Sequence, residues 1–146
     1  MGITAEKIRP RYSENSLLGL RSENNLKLAR QVETGLAYSS LERLSKISGL
    51  SVESLRVAVR MSRRTITRRR IEKRLSPDES DRLVSVSRLL AQAFDLFEGN
   101  IPSAVRWFTS PNKALGKITP LEAAATEVGS REVENLIGRL EHGVFT

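Results

Sequence analysis

Apolar residues recur along this chain at three- and four-residue spacing, in short runs separated by serine, glycine and proline. That period stacks them on one face of an α-helix, whereas a half-buried strand needs strict alternation, which no segment shows. Leu26, Ala29 and Val32 predict a helix from about residue 24 that stops at Gly35. Ser39-Ser40-Leu41-Glu42 reads as a capping box, in which a hydroxyl and a carboxylate satisfy free amides at a helix start; Leu41, Leu44 and Ile47 follow, and Gly49 ends the run. Ser51 heads a short helix with Val52, Leu55 and Val59, and Ser62 heads a basic one. Ser76-Pro77-Asp78-Glu79 is a capping box with proline at the first helical position, where its missing N–H costs nothing. It opens the longest helix, 77–98, striped by Leu83, Val86, Leu90, Ala93 and Phe97.

Gly99-Asn100 breaks that helix and marks a domain boundary. Beyond it the pattern predicts a short helix with Ala104, Trp107 and Phe108, a Ser110-Pro111-Asn112 turn and a Gly116 corner. Thr119-Pro120-Leu121-Glu122 is a further proline-headed capping box, and a last helix over 130–142 presents Val133, Leu136, Ile137 and Leu140. Trp107, Phe108, Leu115, Leu121, Val128 and those four form the expected core of this half. Residues 1–23, polar and carrying Pro10 and Gly19, are expected to be a flexible arm. The fold class is all-α, divided as 1–23, 24–98 and 99–146.

Charge changes the picture through its position. The net charge is +7, and residues 61–75 alone contribute seven cations (Arg63, Arg64, Arg68, Arg69, Arg70, Lys73 and Arg74) against Glu72. Residues 99–146 balance to zero. A cationic stripe this local is the footprint of phosphate contact, and its plain alternative is a solvated basic face. Three short helices, the third arginine-rich, suit docking in the DNA major groove. Leu44, Ile47, Leu55, Val59, Met61 and Ile66 can supply the small core behind them. With Ile66 inward, a 100° step per residue puts Arg64 and Arg68 on the outer face, flanked by Thr65 and Thr67. Guanidinium groups grip guanine with paired hydrogen bonds, and threonine can touch phosphate or a thymine methyl. Arg63, Arg69, Arg70, Lys73 and Arg74 are placed for phosphates or for neighbouring acidic groups. Ile71 falls beside Arg64 and Arg68 by spacing, and packs under the next helix if the basic helix ends early. Arg-rich helices also bind RNA, but single-strand readers stack bases on aromatics, and residues 39–93 contain none.

Other chemistries find little support. There is no cysteine and only one histidine, His142, so neither a metal site nor a catalytic set is expected, and no cofactor. Glu132 and Glu134, two apart on a helix, cannot face one another. The N-terminus lacks the apolar run of a signal peptide and no stretch is long enough to span a bilayer, so a cytoplasmic location without membrane contact is expected.

The run Met61-Ser-Arg-Arg-Thr-Ile-Thr-Arg-Arg-Arg70, then Arg74-Leu-Ser-Pro-Asp-Glu-Ser80, Trp107-Phe-Thr-Ser-Pro-Asn-Lys-Ala-Leu-Gly116, Thr119-Pro-Leu-Glu122, a Glu-Val-Gly and a Leu-Glu-x-Gly ending at Gly143 resemble the MbcA/ParS/Xre antitoxin family over roughly residues 25–146. The resemblance implies a Cro-like helix-turn-helix followed by a small helical toxin-binding domain. It implies a type II antitoxin that dimerises, binds its own operator and holds a NAD⁺-consuming RES-domain toxin, encoded in the same operon, inactive. The chain departs from the family pattern at Arg56 and Arg60, where related sequences carry a small residue and a glycine in the turn before the recognition helix.

On this reading the DNA-binding candidates are Arg63, Arg64, Thr65, Thr67, Arg68, Arg69 and Lys73. The toxin-binding candidates are Arg131, Glu134, Asn135, Arg139, His142, Phe145 and Thr146, with residues 131–146 covering the toxin's substrate entrance. A homodimer seam could use the stripe of Leu83, Val86, Leu90, Ala93 and Phe97, or the first helix with Leu26 and Val32, and the plain alternative for the stripe is ordinary intramolecular core. The alternative is a free-standing helix-turn-helix regulator whose C-terminal domain dimerises or senses a ligand.

Overall fold

A computed structural model describes residues 12–143. Its helices are Glu14–Leu18 (α1), Asn25–Thr34 (α2), Tyr38–Ser48 (α3), Val52–Ala58 (α4), Arg63–Glu72 (α5), Pro77–Leu96 (α6), Ile101–Phe108 (α7), Pro120–Ala123 (α8) and Glu127–Glu141 (α9), with a 3-10 turn at Lys113–Leu115. No strand forms among the described residues, so the all-α expectation holds. No helix among them is long and apolar enough to cross a membrane.

Helix α6 is the axis of the molecule. Its capping box forms as the sequence predicts, the Ser76 hydroxyl accepting from the Glu79 amide and the Glu79 carboxylate from the Ser76 amide. Helices α1, α2, α7 and α9 all pack on it. Leu83, Val86, Leu90 and Ala93 are fully buried, and Phe97 packs partly buried against the core. The stripe is therefore intramolecular core, and a dimer seam along it is ruled out because the chain's own helices already cover it. Leu26, the other seam candidate, is 64% exposed.

The N-terminal arm is not loose from Tyr12 onward. Ser13 caps α1 in a capping box with Ser16, and Leu17 and Leu18 are buried. The Tyr12 ring meets Phe94 edge-on at 5.4 Å. Two adjacent leucines on a five-residue helix offer no period to read, yet they bury apolar surface worth about 2 kcal/mol each. Helix α3 also starts differently. It begins at Tyr38 behind Ala37, which makes no side-chain cap bond, so Ser39 to Glu42 are helix interior rather than a capping box. Its first turn is fixed by the chain beyond α5: the Tyr38 amide donates to the Lys73 carbonyl (3.1 Å) and the Leu75 amide to the Leu36 carbonyl (2.8 Å). Gly35 makes room for this crossing, since a Cβ there would stand 2.3 Å from the Leu75 carbonyl oxygen.

In the C-terminal half α7, α8 and α9 close over Phe108, Val133 and Ile137, all buried. Thr119 caps α8 in the expected box with Glu122. Helix α9 begins at Glu127, capped by Thr126, three residues before the expected start. Val128 then lies opposite the buried Ser130, 72% exposed, and leaves the core to which its apolar character assigned it. Gly129 is required by close packing: a Cβ there would sit 1.9 Å from the Ala123 carbonyl oxygen.

Candidate functional site

Helix α5 is the basic helix, and it buries no residue fully. Ser62 caps it, its hydroxyl accepting from the Thr65 amide at 3.0 Å. Ile66 reaches the core partly buried. A helix so lightly embedded must be held at its ends. At the leading end, Arg56 donates to the Met61 carbonyl (2.6 Å) and grips Glu53 through two nitrogens (2.9 and 2.7 Å). Arg82 of α6 donates to the Val59 carbonyl at 2.7 Å. Between these carbonyls Arg60 holds φ 61, a left-handed conformation that costs a non-glycine residue about 1 kcal/mol or more. Arg56 therefore staples the turn, whose backbone still takes the glycine-like form at Arg60. Beside Arg56, with Arg63 near, Glu53 is held at a pKa of about 2.

At the trailing end Arg69 leaves the group of phosphate-facing candidates. Its guanidinium donates to both oxygens of Glu79 (2.8 and 3.1 Å) and to Glu72 (3.0 Å). Its side chain is 19% exposed. Glu79 is buried. Burial pushes its carboxyl up, but the Arg69 hydrogen bonds and the Ser76 amide outweigh this and hold it below the ordinary carboxylate range. One carboxylate thus caps α6 and clamps α5 to it. Lys73 ends α5 at φ 63 and is exposed, and Arg74 donates to the Gly35 carbonyl at 2.7 Å.

The remaining candidates of α5 are brought together on its outer face. Arg63, Arg64, Thr67 and Arg68 are exposed and Thr65 is half-buried. Arg63 reaches Glu53 only at 3.4 Å. Arg64 and Arg68 make no hydrogen bond or ion pair among the described residues. Ile71 is not tucked under α6: α5 continues to Glu72, and Ile71 stands 74% exposed between the arginines.

Arg131, Glu134, Asn135 and His142 recur on one face of α9 and are exposed, whereas Arg139 is half-buried at its edge. Arg131 pairs with Glu127 at 2.7 Å, and Glu134 accepts from Gln92 at 3.4 Å. Gly138 lies on the same face, with nothing among the described residues within 4 Å of where a Cβ would stand. Phe145 and Thr146 lie outside the described residues. Sequence reasoning placed Glu79 in the capping box but missed its pairing with Arg69, because only the tertiary fold brings the two together, and it misplaced Val128.

Comparison with known proteins gives two family matches. Residues 27–88 match the antitoxin Xre-like helix-turn-helix domain, and residues 92–143 match the antitoxin Xre/MbcA/ParS C-terminal toxin-binding domain. The two matches meet inside α6. The chain is 33% identical over 143 residues to antitoxin Xre of Yersinia enterocolitica, covering 97% of this chain and 95% of that protein. It is 40% identical over 73 residues to antitoxin Xre of Photorhabdus laumondii, covering 50% of this chain and 49% of that one. With both halves matched and a relative aligned nearly end to end, the chain belongs to the Xre family of antitoxins.

Proposed function

We propose that this antitoxin neutralises a NAD⁺-consuming RES-domain toxin by occluding its active site, and represses its own operon as a homodimer bound to double-stranded DNA. The functional division is 24–98 for DNA binding and dimerisation and 99–146 for toxin capture. The observation that carries the capture half is the face of α9, where Arg131, Glu134, Asn135 and His142 stand exposed on the domain that matches toxin-binding domains. Competition with NAD⁺ would be steric, through residues 131–146. Dimerisation follows from the DNA reading, since one helix-turn-helix covers one half-site and operators present two about one helical turn apart. The free α2 surface around Leu26 is the available seam. The protein acts by binding, with no catalytic residue, metal or cofactor of its own, in the cytoplasm.

Gly138 provides a test that separates binding from folding. Glycine inside a helix costs about 1 kcal/mol relative to alanine, and no contact among the described residues demands it at this position. Gly138→Ala should therefore raise the antitoxin's thermal midpoint while weakening inhibition of the NAD⁺ hydrolysis catalysed by the toxin encoded next to it. A chain that is more stable and neutralises equally well would place the capture surface elsewhere. Copurification of an enzyme that leaves NAD⁺ intact would overturn the RES assignment.

A further inference from the structure

An exposed apolar residue stands within the cationic face. Ile71 is 74% exposed, and stands on α5 at the seventh position after Arg64, with Thr67 and Arg68 at the third and fourth. Positions i, i+3, i+4 and i+7 form one stripe of a helix. Homeodomain recognition helices read base edges with side chains at this same spacing. Seven residues advance the helix about 10 Å, the length of about three base-pair steps. Among major-groove edges, only the thymine 5-methyl is an apolar feature.

The geometry points to Ile71 as a specificity-determining residue that packs against a thymine methyl, about three base pairs along from the base contacted by Arg64. This rests on the DNA-binding reading of α5 and adds one sequence element to it. Charge complementarity selects the occupant. Arg64 and Arg68 flank Ile71 without internal partners, and Arg63, Arg70 and Lys73 surround them, all exposed. A second copy of this chain would bring an identical cationic face against them, whereas a phosphate-lined groove would neutralise both arginines while sheltering the isoleucine.

The test uses the full chain and a randomised duplex pool. Duplexes enriched by the unaltered chain are resynthesised with each thymine replaced singly by deoxyuridine, which removes the methyl and leaves every hydrogen-bonding group. One position in each half-site should lose about fourfold in affinity, the effect of exposing one methyl. Ile71→Ala, which alters both protomers, should lose about the square of that factor on the thymine duplex and show no further loss with deoxyuridine at either position. Its exposure means that the variant folds as the parent does, which a thermal melt checks. Duplex binding without any uracil penalty, or a penalty that persists in Ile71→Ala, overturns this assignment alone. Loss of self-association in Ile71→Ala with the penalty intact overturns it in favour of a chain–chain contact. No binding to any duplex overturns the DNA reading of α5 and this assignment with it.

Discussion

Single residues decide how the helix-turn-helix is held. Arg60, at φ 61 in the turn before α5, carries backbone strain that glycine would not. Arg60→Gly should raise stability by up to about 1 kcal/mol, because the relief of a left-handed side chain exceeds the entropy lost by glycine. A melt showing lower stability would mean that the Arg60 side chain contributes more than the strain costs. Glu79 works in the opposite sense. Its carboxyl is held below the ordinary value of 4.5, so the folded state binds its proton less readily than the unfolded state. The stability it contributes is then complete above that value and is lost as pH falls through the depressed one. Between about pH 4.5 and lower, the parent chain should lose stability faster than Glu79→Gln. At neutral pH the variant should itself be less stable by about 2–4 kcal/mol, since Arg69 is left with a weakened partner in a partly dry site. Equal acid sensitivity of the two chains would show that the clamp is not the titrating contact.

Elements explain what could be read in advance and what could not. Four helix starts with side-chain caps were legible, since Ser51, Ser62, Ser76 and Thr119 each accept the amide hydrogen bond that their residue type forecasts, whereas the capped starts at Ser13 and Thr126 went unread. Where a helix start lacks a side-chain cap, as at Ala37, or where two leucines are buried by a short helix, local pattern carried no signal, because α3 is placed by Lys73 and α1 by the surface of α6. The outer face of α5 followed from a 100° step alone. The inward clamp did not, since Arg69 and Glu79 lie on different helices and only their packing pairs them. Gly129 was legible as part of a motif but not for its reason, the approach of α9 to the Ala123 carbonyl. Gly129→Ala should force α8 and α9 apart and cost about 1–3 kcal/mol. Calorimetry of the full chain checks this, and an unchanged midpoint would mean that the contact yields freely.

At the scale of the whole molecule two unlike surfaces are built on one rod, with α5 clamped near the start of α6 and α9 packed along it. Cations are also divided, since Arg56 and Arg69 are spent inside the turn and the clamp, and Arg63, Arg64, Arg68, Arg70 and Lys73 remain on the outside. Three phosphate contacts per chain, from Arg63, Arg70 and Lys73, give a slope of log affinity against log salt of about −3, or about −5 to −6 for the homodimer on its operator. A slope near −1 would remove α5 from the phosphate backbone. The separation of the two surfaces is tested most directly by a hydrogen-exchange footprint of the antitoxin with and without its toxin. Protection is predicted along α9, from Glu127 to Glu141, with the amides of α5 exchanging at the same rate in both samples. Protection of α5 by the toxin, or none beyond residue 99, would contradict the account.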